Sequence, residues 1–198
     1  VSIVVYTYIM SISRQNLSVI IVSFKSDYII QKCINSIDKE IEIIVIDNSN
    51  NIEFKKAIEN KYSNVRCILS AKNIGMGAGN NIGIRNTNKD FALILNPDVI
   101  LEKDAINQII NAAKILDSFS VLAPMLKKIE HPNYKLDNKK NHKFNPIKPF
   151  KVKSVDGYSM LINLKRLNQI DNFYYFDENF FMYLENDDLC KRLNNKNE

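Results

Sequence analysis

Apolar positions along the chain switch repeatedly between two periods. Leu17 to Ser23, LSVIIVS, is a continuous apolar run bounded by polar residues, the pattern of a strand covered on both faces. From Asp27 to Ile37 the apolar side chains fall at 29, 30, 33, 34 and 37, which is a helical period with Asp27 as the capping residue. Ile41 to Ile46 predicts a second buried strand, ending in Asp47-Asn48-Ser49, and Asn51 to Asn60 a short helix. Val65 to Leu69 reads as a third strand, Asn73 to Ile84 as a glycine-rich turn entering a helix, and Phe91 to Leu95 as a fourth strand. A stripe of Ala105, Ile106, Ile109, Ile110, Ala113 and Leu116 predicts another helix, and Phe119 to Ala123 a fifth strand. Strand and helix thus alternate four times, which predicts an α/β domain with a mostly parallel central sheet and helices on both faces. After residue 124 the alternation fails. Val152 to Ile162 reads as one more strand, and Phe173 to Leu193 as a strand-like aromatic run followed by a short helix.

In such sheets ligands bind beyond the carboxyl ends of the strands. Two carboxylates fall there, Asp47 after the second strand and Asp98 after the fourth. Pro97 stops the fourth strand, because proline has no N–H to give to a ladder. Four of the five glycines, Gly75, Gly77, Gly79 and Gly83, lie within nine residues. A turn of this kind lets backbone approach a ligand and aims N–H groups at phosphate or sugar oxygens. It does not match the dinucleotide fingerprint, since GxGxxG counted from Gly75 requires glycine where Asn80 stands. No GxxxxGK[ST] is present, which excludes a P-loop.

Charge adds one feature. The net charge is +5, yet residues 125–153 hold nine lysines against Glu130 and Asp137, a local +7 that leaves −2 for the rest. With four of the five prolines in or beside it, this block reads as a basic surface loop, either solvated or in contact with anionic lipid or a polyanionic acceptor. Nucleic acid is not expected, because no aromatic interleaving or binding module accompanies the charge. Cys33, Cys67 and Cys190 lack metal-ligand spacing and read as reduced thiols of a cytoplasmic protein. Val1 to Met10 is apolar but too short to span a bilayer, and reads as an edge strand or leader.

Five segments in order resemble a family 2 glycosyltransferase of the GT-A fold, in its bacterial rhamnosyltransferase-like branch. They are LSVIIVSF (17–24), IVIDNSN (44–50), NIGMGAGNNIGI (73–84), LILNPDV (93–99) and FDENFFMYLENDDLCKR (176–192). The resemblance implies a single catalytic domain over 17–198, preceded by a leader or edge segment over 1–16. Within it, 17–124 is the nucleotide-binding half, 125–150 the basic loop, and 151–198 the acceptor and base half, with truncation at the C-terminus among the expectations.

The resemblance also implies roles. Asp47, with Asn48 beside it, corresponds to the carboxylate that hydrogen-bonds the donor nucleobase. Ser23 and Phe24 lie along the nucleoside, and Asn73 through Gly75 and Gly79 lie against nucleotide and ribose. Asn96-Pro97-Asp98 is a variant DxD motif in which Asp98 binds Mg2+ or Mn2+ held by the donor diphosphate, with Asn96 supplying one fewer anionic ligand than a full motif. Gly157 leaves room beside the donor sugar. The base that takes the acceptor proton falls in Glu185-Asn186-Asp187-Asp188. Asn186 cannot ionise, so Glu185 is the candidate, Asp188 a structural or metal-side helper, and Asp187 a solvated charge at a helix start.

The implied activity is inverting transfer of a sugar, rhamnose among the candidates, from a dTDP- or UDP-linked donor to a polysaccharide or lipid-linked glycan. The implied location is the cytoplasm, with peripheral contact to the inner face of the cell membrane. The alternative is a truncated or degenerate member that binds nucleotide or glycan without turnover. A sugar nucleotidyltransferase is disfavoured, because SFKSD after the first strand has no glycine.

Overall fold

A sheet whose first strand is buried at every residue needs cover on both sides, and the fold supplies it. The computed structural model describes residues 11–116, 118–125, 132–136, 148–171 and 174–198. Strands β1 (Leu17–Ser23), β2 (Glu42–Asp47), β3 (Val65–Leu69) and β4 (Phe91–Leu95) run parallel in the order β3-β2-β1-β4. Helices α1 (Ile30–Asn35), α2 (Ile52–Lys61), α3 (Met76–Arg85) and α4 (Ala105–Ile115) connect or follow them. Leu17, Val19 and Ile21 point into one core with α1, α2 and α4. Ile20 points into a second core with Ile84 of α3 and with two later helices, α5 (Leu164–Asp171) and α6 (Glu185–Asn194). The central strands are therefore apolar without alternation.

The chain runs outward from β1 to β3, then returns past β1 to form β4. This reversal puts a switch point between β1 and β4, at whose carboxyl ends a crevice must open. Close passage of α3 over the sheet requires small residues. A Cβ on Gly83 would lie 2.3 Å from Cγ2 of Ile20, and one on Gly79 would lie 2.8 Å from Cγ2 of Val22.

Several expectations are corrected. α1 starts at Ile30, with Ile29 as an uncapped N-cap. Asp27 does not cap it, because the carbonyl of Ser26 takes the first free N–H groups, those of Ile29 and Ile30. β5 shrinks to Val121–Leu122 and does not pair with β4. Instead β8 (Ser159–Asn163) lies antiparallel between the two, pairing Leu95 with Ser159 and Leu122 with Leu161. The single strand expected over Val152 to Ile162 is broken at Asp156-Gly157-Tyr158. Its first part is β7 (Ser154–Val155), which pairs with β6 (Tyr134–Lys135) in a separate ribbon. α5 was not foreseen, although Leu164 and Leu167 mark its buried side. Among the described residues the aromatic run before α6 forms no strand.

Residues 11–16 are tied to the domain. Ile12 is buried in the first core, and Nε of Arg14 bonds Asp38 at 2.7 Å. The expected leader over Val1 to Met10 lies outside the described residues, as do His131, His142 and five lysines of the basic block, Lys127, Lys128, Lys139, Lys140 and Lys143.

Candidate active site

The register sets Ser23 beside Asp47 at the carboxyl ends of β1 and β2. Asp47 is fully buried, and three donors hold its carboxylate. Ser49 gives its N–H to Oδ1 at 3.1 Å and its hydroxyl at 2.6 Å, and Asn51 gives its N–H to Oδ2 at 2.7 Å. In this structure the Asp47 carboxylate shapes its own turn. Oδ1 of Asn51, one step on, accepts from the N–H of Phe54 and caps α2. Beside this turn lies a cleft of about 530 Å³, lined by Lys25, Tyr28, Ser49, Asn51 and Glu53. Phe24 is half exposed nearby, with the Lys25 ammonium 5.4 Å from its ring centre. Oγ of Ser23 is buried without a partner.

Asn48 links this turn to the glycine segment. Its Nδ2 donates to the carbonyl of Gly75 at 3.1 Å and to Oδ1 of Asn73 at 3.2 Å, while its Oδ1 accepts from Ser70. Gly75 has φ +84 and ψ −179, a conformation that only glycine adopts freely. There is also no room for a side chain, since a Cβ would lie 2.1 Å from the Phe181 carbonyl oxygen. That carbonyl accepts from the N–H of Met76 at 2.9 Å, so the first turn of α3 is closed from the segment before α6. At Gly79 the space a side chain would fill faces Val22, so the glycine also allows close helix–sheet packing.

At the end of β4, Asn96 donates its N–H to the Tyr158 carbonyl at 2.9 Å and accepts from Val99 at 3.2 Å. Its Oδ1 is buried and unpartnered. Asp98 is exposed, and its carboxylate takes no hydrogen bond or ion pair among the described residues. Burial pushes the nearby Cys33 thiol up to about 12, and the Asp98 charge pushes the same way. One free carboxylate and one unpaired amide oxygen are the hard donors that Mg2+ or Mn2+ prefers. Among the described residues no three His, Cys, Asp or Glu side chains gather into a metal cage. The set therefore fits a cation that brings diphosphate and water as its other ligands.

Gly157 sits next to this edge, where a Cβ would lie 3.4 Å from Cβ of Asn186. Nδ2 of Asn186 donates to the Val155 carbonyl at 2.7 Å, which anchors the start of α6. Glu185, the first residue of that helix, is 8% exposed and leaves Oε2 without a partner. Desolvation holds its carboxyl above the ordinary value, and the charge of Asp187 adds to this. Asp188 is occupied differently, its Oδ2 accepting from Nε of Arg192 at 2.7 Å. Asp187 is not merely solvated: Lys135 bonds it at 2.8 Å and holds its carboxyl below the ordinary value.

Two asparagines of α3 escaped sequence reading. Asn80 is buried with Oδ1 unpartnered, and Asn81 is buried with every polar atom engaged. A signal existed, because adjacent asparagines inside a short helix are poor helix formers and need another reason to be there.

Comparison with known proteins gives the class. The profile of Glycosyl transferase family 2 matches residues 18–183, and the chain belongs to that family. Its strand order and covered sheet are those of GT-A glycosyltransferases. It is 29% identical to the low-salt glycan biosynthesis hexosyltransferase Agl10 of Haloferax volcanii, over 92% of this chain and 62% of that protein. Among solved structures, S. aureus TarS 1-349 aligns with a TM-score of 0.64 and 19% identity over 89% of this chain and 54% of that one. Mannosyltransferase PcManGT from Pyrobaculum calidifontis, in complex with GDP-Man and Mn2+, aligns with a TM-score of 0.61 and 12% identity over 84% of this chain and 48% of that one. The chain spans less than two thirds of each of these proteins.

Proposed function

We propose that this chain carries the donor site and catalytic base of an inverting, metal-dependent hexosyltransferase that acts on a nucleotide-diphosphate sugar. One observation carries the reading. The only acid of the Glu185-Asn186-Asp187-Asp188 group that is both buried and unpaired at an oxygen is Glu185, and it sits where α3, β7 and α6 meet. A base for a sugar hydroxyl needs a free lone pair and a raised pKa, and Glu185 has both. The Asp188 carboxylate is instead engaged by Arg192.

In this reading Glu185 takes the proton of an acceptor hydroxyl. That oxygen attacks the anomeric carbon, and the bond from this carbon to the diphosphate oxygen breaks on the opposite face. Asp98, with the Asn96 amide oxygen, would hold a divalent ion, whose charge would offset that of the departing diphosphate. Ser23, Phe24, Asn48, Asn73 and Gly75 form the wall along the nucleoside, next to the cleft at Lys25 and Tyr28. The likeness to a hexosyltransferase supports a hexosyl group. A rhamnosyl group is a 6-deoxyhexosyl group and falls within that class, with dTDP- and UDP-linked donors the first to try. The acceptor is a polysaccharide or lipid-linked glycan, met on the cytoplasmic side. Among the described residues no helix is long and apolar enough to cross a membrane. Contact with anionic lipid would run through the basic block that includes Lys148, Lys151 and Lys153.

The test is release of nucleoside diphosphate from UDP-glucose, GDP-mannose and dTDP-rhamnose, with octyl glycosides as acceptors. Glu185→Gln is expected to lower transfer roughly 100-fold or more while nucleotide binding persists. Unchanged transfer would remove Glu185 from the mechanism.

A further inference from the structure

The segment that delivers Glu185 has little of its own to hold it. Phe181, Met182, Tyr183 and Leu184 are each half exposed or more. Tyr183 and Leu184 both have positive φ, 66 and 72, a conformation that bulky residues rarely adopt and that persists only where neighbours enforce it. Bonds from α3 fasten the residues just before this pair. Asn81 pairs with Phe176 as a strand residue would, its Oδ1 accepting from the Phe176 N–H at 3.1 Å and its Nδ2 donating to the Phe176 carbonyl at 2.8 Å. The same Nδ2 donates to Oε1 of Glu178 at 2.9 Å, and Arg85 holds that oxygen from one turn on at 3.2 Å. At the other end of α3 the Phe181 carbonyl receives the Met76 N–H. Between these two fastenings, a Cβ on Gly77 would lie 3.5 Å from Cβ of Glu185.

We infer that Asn81 is a positioning residue for the base: it clamps Phe176 and Glu178 to α3, so that the helix carrying the donor-side glycine turn also sets where Glu185 stands. The clamp holds by two backbone bonds and one bond to a carboxylate, and it touches neither donor nor acceptor. This inference rests on the reading of Glu185 as the base, so its test also has a readout independent of turnover.

Asn81→Asp keeps the size and the acceptor for the Phe176 N–H, but turns an oxygen toward the Phe176 carbonyl and the Glu178 carboxylate. Native-state hydrogen exchange is expected to quicken over residues 176–185 and at Met76, and to stay unchanged in β1, β2 and β4. Turnover per folded molecule is expected to fall roughly 10- to 100-fold, as for a base displaced by about 1 Å, with the thermal shift given by nucleoside diphosphate retained. Adding Glu178→Gln restores a donor opposite the new carboxylate and should recover part of both effects, a coupling that a double-mutant cycle measures. Unchanged exchange over 176–185 overturns the clamp. So does a loss of turnover that only follows the folded fraction, or one that Glu178→Gln leaves untouched. If the wild type transfers no sugar from any donor, the glycosyltransferase reading fails, while the exchange pattern still decides the clamp. If Asn81→Asp does not fold, Glu178→Gln alone and Arg85→Ala read the same exchange window, where no change again overturns the inference.

Discussion

Nδ2 of Asn48 donates to the carbonyl of Gly75 across 3.1 Å, joining the end of β2 to the glycine that opens α3. That glycine is constrained twice, by its positive φ and by the Phe181 carbonyl oxygen 2.1 Å from where a Cβ would stand. Gly75→Ala must therefore shift backbone as well as strain it. A loss of about 2–3 kcal/mol is expected, together with loss of the nucleotide-induced thermal shift. Urea unfolding measures the first and differential scanning fluorimetry the second. A neutral substitution would mean that the turn is soft and that Asn48 does not fix it.

Asp47 offers a different contrast. Its carboxylate is buried and saturated by Ser49 and Asn51, so Asp47→Asn places an amide N–H₂ against existing donors. The expected result is destabilisation of about 2 kcal/mol in urea unfolding, with weaker nucleotide binding as its consequence. Full stability with a selective loss of one nucleobase would instead show that Asp47 turns toward the ligand, as the family resemblance implies.

For Glu185 the pH dependence of stability has a definite sign. Burial raises its carboxyl above the ordinary 4.5. The stability linked to this group is full below that pH and is lost as pH climbs through the raised value. Glu185→Gln carries no such loss. Relative to the wild type, the variant should gain thermal stability between about pH 5 and pH 8 and show no gain at pH 4. In the wild type, the acidic limb of the rate profile should lie above the ordinary carboxylate range. Equal melting curves at pH 8 would contradict the burial of a charged group at this position.

The β/α units of residues 17–116 were largely legible from the chain. Leu17–Ser23, Ile43–Ile46 and Phe91–Leu95 are nearly continuous apolar runs, and such runs are what a doubly covered parallel sheet demands. Asp47 and Asp98 could be assigned to one edge because parallel strands all end there. The residues after 124 were less readable, for physical reasons. β8 enters antiparallel between β4 and β5, a long-range pairing that no local pattern announces. Asp156-Gly157-Tyr158 breaks the expected strand with a turn whose local sign is the Asp-Gly pair. The stretch Phe180 to Leu184 has strand composition, yet Tyr183 and Leu184 have positive φ and the Phe181 carbonyl is tied to the N–H of Met76, about a hundred residues away. The packing need at Gly79 and Gly83, where a Cβ would meet Val22 and Ile20, has no local signal in the sequence.

The central claim is that the strand ending in Asn96-Pro97-Asp98 presents Asp98 to a metal held by a nucleoside diphosphate. The thermal midpoint of the chain with dTDP, UDP, GDP or CDP, each with Mn2+ or with EDTA, tests it in wild type and Asp98→Ala. Ligand bound only by the folded state raises the midpoint, by about 2.7 kcal/mol of stability at a hundredfold excess over Kd. The account predicts a rise with at least one nucleotide that needs Mn2+ and disappears in Asp98→Ala. No rise with any nucleotide, or a rise that survives both EDTA and Asp98→Ala, would contradict it.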